Sequence, residues 1–112
     1  MPSSFLHHPG QVFALALCAT LSLSGAALAS QDLATKAGCV ACHKPDVKLV
    51  GPAYKDVAAK YKGRADAIPY LAKRVRMGGP GNWGPVPMMA NDVSRISDAD
   101  LNTLLAWVLK TQ

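Results

Sequence analysis

Apolar residues recur at helical spacing along most of the chain. Tyr54, Val57, Ala58 and Tyr61 stand at i, i+3, i+4 and i+7, with Lys55, Asp56, Lys60 and Lys62 on the opposite face. That pattern predicts a helix from about Ala53 to Tyr61, ended by Gly63. A second stripe, Ile68, Leu71, Ala72 and Val75, predicts a helix from Asp66 to Met77. Pro69 falls in its first turn, where proline is tolerated. Leu101, Leu104, Leu105 and Val108 predict a last helix with Trp107 beside its buried stripe. It starts at Ser97-Asp98-Ala99-Asp100, close to a capping box with Asp in place of Glu. A short helix is expected from Asp32 to Ala37, with Asp32 favouring its N-terminus and Gly38 stopping it. No stretch reads convincingly as a strand, so the fold class is all-α.

Two segments lack a pattern. Gly78 to Ile96 contains Pro80, Pro85, Pro87 and several glycines, and nineteen residues of structureless loop is unusual in a small domain unless the loop is functional. Lys44 to Pro52 is a shorter case. Both loops need something to wrap around.

The first part of the chain is of another kind. From Val12 to Leu28 there is no charge, and the run closes with the small-x-small sequence Ala27-Leu28-Ala29 before Ser30. It reads as a secretory signal peptide over residues 1–29, cleaved after Ala29, which leaves a domain over residues 30–112 and implies export to the periplasm. The leader has no Lys or Arg, so a retained membrane anchor is the competing reading. The apolar run is interrupted by Thr20, Ser22, Ser24 and Gly25 and is marginal for crossing a bilayer, so no stable membrane insertion is expected after cleavage. All twelve Lys and Arg and all seven Asp lie beyond residue 31, so the remaining domain keeps the formal charge of +5. Such a surface steers acidic partners. Export and the scattered placement of the basic residues argue against nucleic acid.

The 83 residues from Ser30 to Gln112 make a small core, and such domains often need a staple. A disulfide between Cys39 and Cys42 would close too short a loop to contribute much. The motif Cys39-Val40-Ala41-Cys42-His43 supplies a different staple. Cys-x-x-Cys-His reads as a covalent c-type haem site. Two thiols three residues apart on a helical turn can add to the two haem vinyl groups, and the next imidazole becomes the proximal iron ligand. A thioredoxin-like pair would want a βαβ context. A structural zinc site would want four ligands, and only Cys39, Cys42 and His43 remain once His7, His8 and Cys18 depart with the leader. The second ring nitrogen of His43 is expected to donate to a carbonyl in the Gly51-Pro52 turn.

The other axial ligand should come from the long loop. Met77 ends a helical stripe and is expected in the core. Met88 follows the stiff segment Pro85-Val86-Pro87 and is the favoured ligand, with Met89 as its competitor. With both axial positions filled by protein, no open position is left for dioxygen or peroxide, which marks an electron carrier rather than an enzyme.

Three stretches then fall in order: Gly38-Cys39-Val40-Ala41-Cys42-His43, Val50-Gly51-Pro52-Ala53-Tyr54-Lys55-Asp56-Val57-Ala58 and Trp83-Gly84-Pro85-Val86-Pro87-Met88. Together they resemble the class I c-type cytochromes, closest to the small bacterial cytochrome c-551 type. The resemblance covers almost all of residues 30–112. It implies the cytochrome c fold, about four helices wrapped round one covalently attached haem c, with the first and last helices crossing. It implies His43 and Met88 as axial ligands and the Pro52 carbonyl as acceptor from His43. It also implies that Arg74 and Trp83 hydrogen-bond a haem propionate and that Asn91 touches the sulfur region of the ligand. Taken alone, these three residues also read as a solvated charge, a core aromatic and a turn residue. Family members commonly carry prolines after the ligand methionine, where this chain has Met89-Ala90, and Val93 to Ser97 is longer than usual.

The expected function is that of a periplasmic monohaem electron carrier between respiratory or denitrification redox proteins. It would pass single electrons through an exposed haem edge flanked by Val40, Ala41, Pro87 and Met89. The resemblance implies partners such as nitrite reductase, a terminal oxidase, a cytochrome c peroxidase or a copper protein, and a monomer is expected. A haem enzyme or gas sensor with Met88 off the iron, and a tethered subunit of a membrane respiratory complex, are the competing readings.

Overall fold

The computed structural model describes residues 24–112. The leader lies outside the described residues as far as position 23. Four helices form: α1 (Ser24–Lys36), α2 (Tyr54–Lys60), α3 (Ala67–Met77) and α4 (Asp98–Val108). A single 3-10 turn, Cys39–Ala41, follows α1, and a two-stranded antiparallel hairpin, β1 (Gly79–Gly81) and β2 (Gly84–Met88), follows α3.

Helix α4 is the spine against which α1, α2 and α3 all pack. Leu101, Leu104, Leu105 and Val108 are its buried residues, as their spacing requires. Ser97 caps it: its Oγ accepts the Asp100 N–H at 3.1 Å, and Asp98 and Asp100 place negative charge in the first turn, where the helix dipole favours it. Ala34 of α1 and Ala37 just past its end are both buried. The absence of larger side chains there lets α1 approach α4 closely.

Three features differ from the reading of the pattern. Helix α1 begins before Asp32, because Ala26, Ala27, Leu28 and Ala29 are strong helix formers and nothing between them and Gln31 stops the backbone. Met77 is 62% exposed and not in the core. The buried side of α3 is set by Ala67 and Leu71, and Met77 sits two residues past Val75, off that stripe at the helix end. The long loop is not structureless over its first half. Gly79 pairs with Met88 and Gly81 with Gly84, and the prolines are accommodated because a two-stranded ribbon has open edges that need no N–H donor.

The turn out of α3 depends on Gly78. Its φ is +64°, and a Cβ there would stand 2.6 Å from both the Met88 carbonyl oxygen and the Ala90 nitrogen. Only a residue without a side chain lets the end of α3 lie directly against the segment around Met88.

Denaturant unfolding of the haem-loaded protein should show Leu101→Ala costing roughly 2–5 kcal/mol, since the site is almost fully enclosed. Ser97→Ala should cost about 1 kcal/mol through the lost cap alone.

Candidate functional site

Between α2, α3, α4, the 3-10 turn and the hairpin lies a cavity of about 550 Å³, within the range of pockets that hold organic cofactors. Its apolar walls include Val57, Leu71, Ile96, Leu101, Leu105 and Val108.

One wall is built by the cysteine motif. Gly38, in the left-handed conformation (φ 78°), ends α1, and the chain then tightens into the 3-10 turn. The Cys42 and His43 N–H groups both donate to the Cys39 carbonyl, at 3.1 and 2.9 Å. Cys39, Cys42 and His43 thereby face the same cavity, all half-buried and both thiols free. Burial pushes the Cys39 thiol above its ordinary pKa, with Arg95 opposing the shift. A thioether carries no charge, so an attached Cys39 would not meet that cost.

The segment from Lys44 to Ala53 folds back over His43. Gly51 N–H donates to the Cys42 carbonyl at 2.8 Å, Tyr54 N–H to that of Lys44 at 2.9 Å, and Lys55 N–H to that of Pro45 at 3.0 Å. His43 Nδ1 lies 2.8 Å from the Pro52 carbonyl. A carbonyl can only accept, so Nδ1 carries a proton, and Nε2 is the ring nitrogen left for a metal. Gly51 permits this closure: a Cβ there would come within 2.5 Å of His43 Cε1. The imidazole also stacks on Tyr54, with ring centroids 5.7 Å apart and an angle of 18°, and Tyr54 in turn meets Trp107 edge-on at 5.5 Å.

The facing wall comes from the hairpin and the segment after it. Met88 and Met89 both line the cavity; Met88 is half-buried and Met89 is 69% exposed. Met77 does not line it. Asn91 is buried. Its Nδ2 donates to the Met89 carbonyl at 2.8 Å, its N–H to the Val75 carbonyl at 3.0 Å, and its own carbonyl accepts from Arg76. Asn91 therefore ties the residue behind Met88 to α3.

The cavity end at the hairpin turn is basic and aromatic. Arg74 lines the cavity and donates to the Pro80 carbonyl at 3.0 Å. Lys60 Nζ donates to the Asn82 carbonyl at 2.7 Å and lies 4.4 Å from the Trp83 ring centroid. Asn82 Nδ2 donates to the Tyr61 and Tyr70 hydroxyls. Trp83 is 41% exposed rather than packed in the core. Spacing places Lys60 on an outer helix face. Its partner, like one of the two partners of Arg76, is a backbone carbonyl of a returning loop, which no spacing along the chain reveals.

These residues fit a haem. Two thiols and an imidazole stand on one wall, a thioether faces them from another, and a cation closes the end where carboxylates would sit. The Tyr54 hydroxyl is buried with no hydrogen-bond partner, and its pKa is pushed up to about 12, chiefly by burial. The protein alone thus leaves this part of the core incomplete.

Comparison with known proteins agrees. Residues 27–112 match the Cytochrome c family model. The chain is 51% identical over 80 residues to cytochrome c2 of Rubrivivax gelatinosus, covering 71% of this chain and 94% of that one. It is 47% identical over 102 residues to cytochrome c-551 of Pseudomonas aeruginosa, covering 90% and 95%. The crystal structure of Nitrosomonas europaea cytochrome c552 superposes with a TM-score of 0.67 at 46% identity, over 73% of this chain and 99% of that one.

The fold prefers the neutral Tyr54 phenol, so the stability it carries is full below pH 10 and falls as pH rises toward about 12. Thermal melts of wild type and Tyr54→Phe should run parallel up to pH 10. Above that, the wild type should lose stability faster.

Proposed function

The chain belongs to the cytochrome c family and is a monohaem c-type electron carrier, not an enzyme; from that premise we propose that Cys39 and Cys42 hold the haem, that His43 and Met88 are its axial ligands, and that the protein works in the periplasm between acidic redox partners. One observation carries the ligand assignment. The only His in residues 30–112 is held by Pro52 through Nδ1, leaving Nε2 without a protein partner, across a cavity from a hairpin that pairs Met88 with Gly79.

When bound, haem c supplies an iron centre that exchanges one electron with its surroundings. The chain's residues determine how that centre is held. Pro52 orients His43 and raises its basicity. The thioether of Met88 favours a higher reduction potential than a second imidazole would. Apolar side chains of α3 and α4 exclude water from the interior of the cavity. Arg74, with Trp83 at the same end, offers donors and positive charge to the propionates. Met88 is preferred to Met89 because it is the residue registered in the hairpin, whereas Met89 points largely to solvent.

Electron exchange needs an exposed edge and a brief encounter. Ala41, Pro87 and Met89 are exposed beside the cavity and Val40 is half-buried, giving a small apolar patch, with Lys44 and Lys48 exposed nearby. Small interfaces of this type suit transient contacts, and the net charge of +5 favours acidic partners. Nitrite reductase, a terminal oxidase, a cytochrome c peroxidase and a copper protein are the partner classes we put forward. The leader over residues 1–29, with removal after Ala29, supports the periplasmic assignment. Among the described residues no helix is long and apolar enough to cross a membrane.

Visible spectra test the ligands. Oxidised wild type should show the weak sulfur–iron charge-transfer band at the red end of the spectrum, and Met88→Ala should lack it. Survival of the band in Met88→Ala would move the assignment to another methionine. Mass spectrometry of exported protein should give residues 30–112 plus one haem; an intact leader would contradict the cleavage proposed.

A further inference from the structure

We propose that Arg76 is a positioning residue for the methionine ligand, clasping the segment behind Met88 to α3 and α4 so that the sulfur stays at the iron; this rests on the assignment of Met88 above.

The segment has few anchors of its own. Met88 is registered against Gly79 by the hairpin, but the hairpin ends there. Met89 and Ala90 are exposed, as are Asp92, Val93 and Ser94, and no proline follows Met88 to stiffen the backbone. Asn91 is the buried point between these exposed stretches. Two of its bonds, to the Met89 carbonyl and the Val75 carbonyl, tie the segment to itself and to α3.

Arg76 makes the third bond. It lies in the last turn of α3 with a side chain only 21% exposed. One guanidinium nitrogen, Nη1, donates to the Asn91 carbonyl at 3.1 Å, and the other, Nη2, donates to Asp98 Oδ1 at 2.6 Å. Asp98 is the first residue of α4. A planar fork with several fixed donors can serve a carbonyl and a carboxylate at once, which a lysine ammonium on a flexible stem does less well. Arg76 thus joins three elements: the end of α3, the start of α4 and the return of the ligand segment. Gly78 adds a close backbone approach to the same segment, against Met88, Met89 and Ala90. Without Arg76, one wall of the clasp is lost and Asn91 keeps a buried carbonyl with no donor.

The test compares haem-loaded wild type with Arg76→Ala, Arg76→Lys, Asp98→Asn and Met88→Ala. The charge-transfer band of the oxidised form and far-UV circular dichroism are followed together against guanidinium chloride, and carbon monoxide binding to the reduced form is timed. In Arg76→Ala the band should vanish at a denaturant concentration where the helices remain. Carbon monoxide uptake should be faster by about tenfold, the factor that about 1.4 kcal/mol of weaker loop attachment gives. Arg76→Lys and Asp98→Asn should fall between Arg76→Ala and wild type. If Arg76→Ala does not fold, Asp98→Asn, whose side chain is 80% exposed, gives the same readout with a smaller expected change. Band loss that stays coincident with global unfolding, and unchanged carbon monoxide binding, would overturn the clasp and leave Arg76 as a structural residue only. A band that persists in Met88→Ala would instead remove the ligand assignment beneath it.

Discussion

The rest of the structure depends on the cavity at its centre. A chain of this size buries a limited share of its surface, and here the helices, besides packing on α4, close round a space of about 550 Å³. Leu101, Leu104, Leu105 and Val108 form one apolar wall of that space, and hairpin residues including Val86 and Met88 line it too. The Tyr54 hydroxyl, buried beside it, is left without a partner. A large flat apolar group, held by covalent bonds, removes the deficit. The hydrophobic gain from its burial is then part of the folding free energy, and not only a matter of ligand affinity.

That constraint explains the two irregular segments. Each is a wrapping held by backbone bonds and not by a core of its own. The segment from Lys44 to Ala53 is fastened to the cysteine turn by the Gly51–Cys42 hydrogen bond and by His43 itself, and its start is fastened to α2 by two main-chain bonds from Tyr54 and Lys55. The hairpin is fastened by Lys60, Arg74 and Asn82 on one side, and by Asn91 and Arg76 on the other. Glycines stand where backbone must touch: Gly51 against the imidazole and Gly78 against the Met88 segment. Positive side chains gather at the hairpin turn, the end suited to the acidic edge of a haem, while the interior beyond them stays apolar.

Much of this was legible in the sequence, for identifiable reasons. Helices α2, α3 and α4 announce themselves because each buries one face, which imposes a 3.6-residue period on Tyr54 to Tyr61, Ile68 to Val75 and Leu101 to Val108. The cysteine motif is local, so its chemistry follows from spacing alone. What escaped depends on contacts between distant segments. The hairpin is rich in Gly and Pro and has no alternating apolar pattern, because both its strands are largely exposed and bury no core face. Met77 was misplaced because a helix end can leave the buried stripe within two residues. The tie of Lys60 and one of the two ties of Arg76 end on main-chain carbonyls, which are the same at every position and leave no trace in residue type.

The folding of the chain without its haem decides whether the core can close on its own. Protein carrying Cys39→Ala and Cys42→Ala, prepared free of haem, would be compared with the haem-loaded wild type by thermal melting in the far ultraviolet and by backbone amide exchange. The haem-free chain should show no cooperative melt and exchange its α2, α3 and α4 amides rapidly, while the loaded protein melts sharply with those amides protected. A haem-free chain with a sharp melt and protected amides in the same helices would contradict this, because the protein would then close its core without the haem.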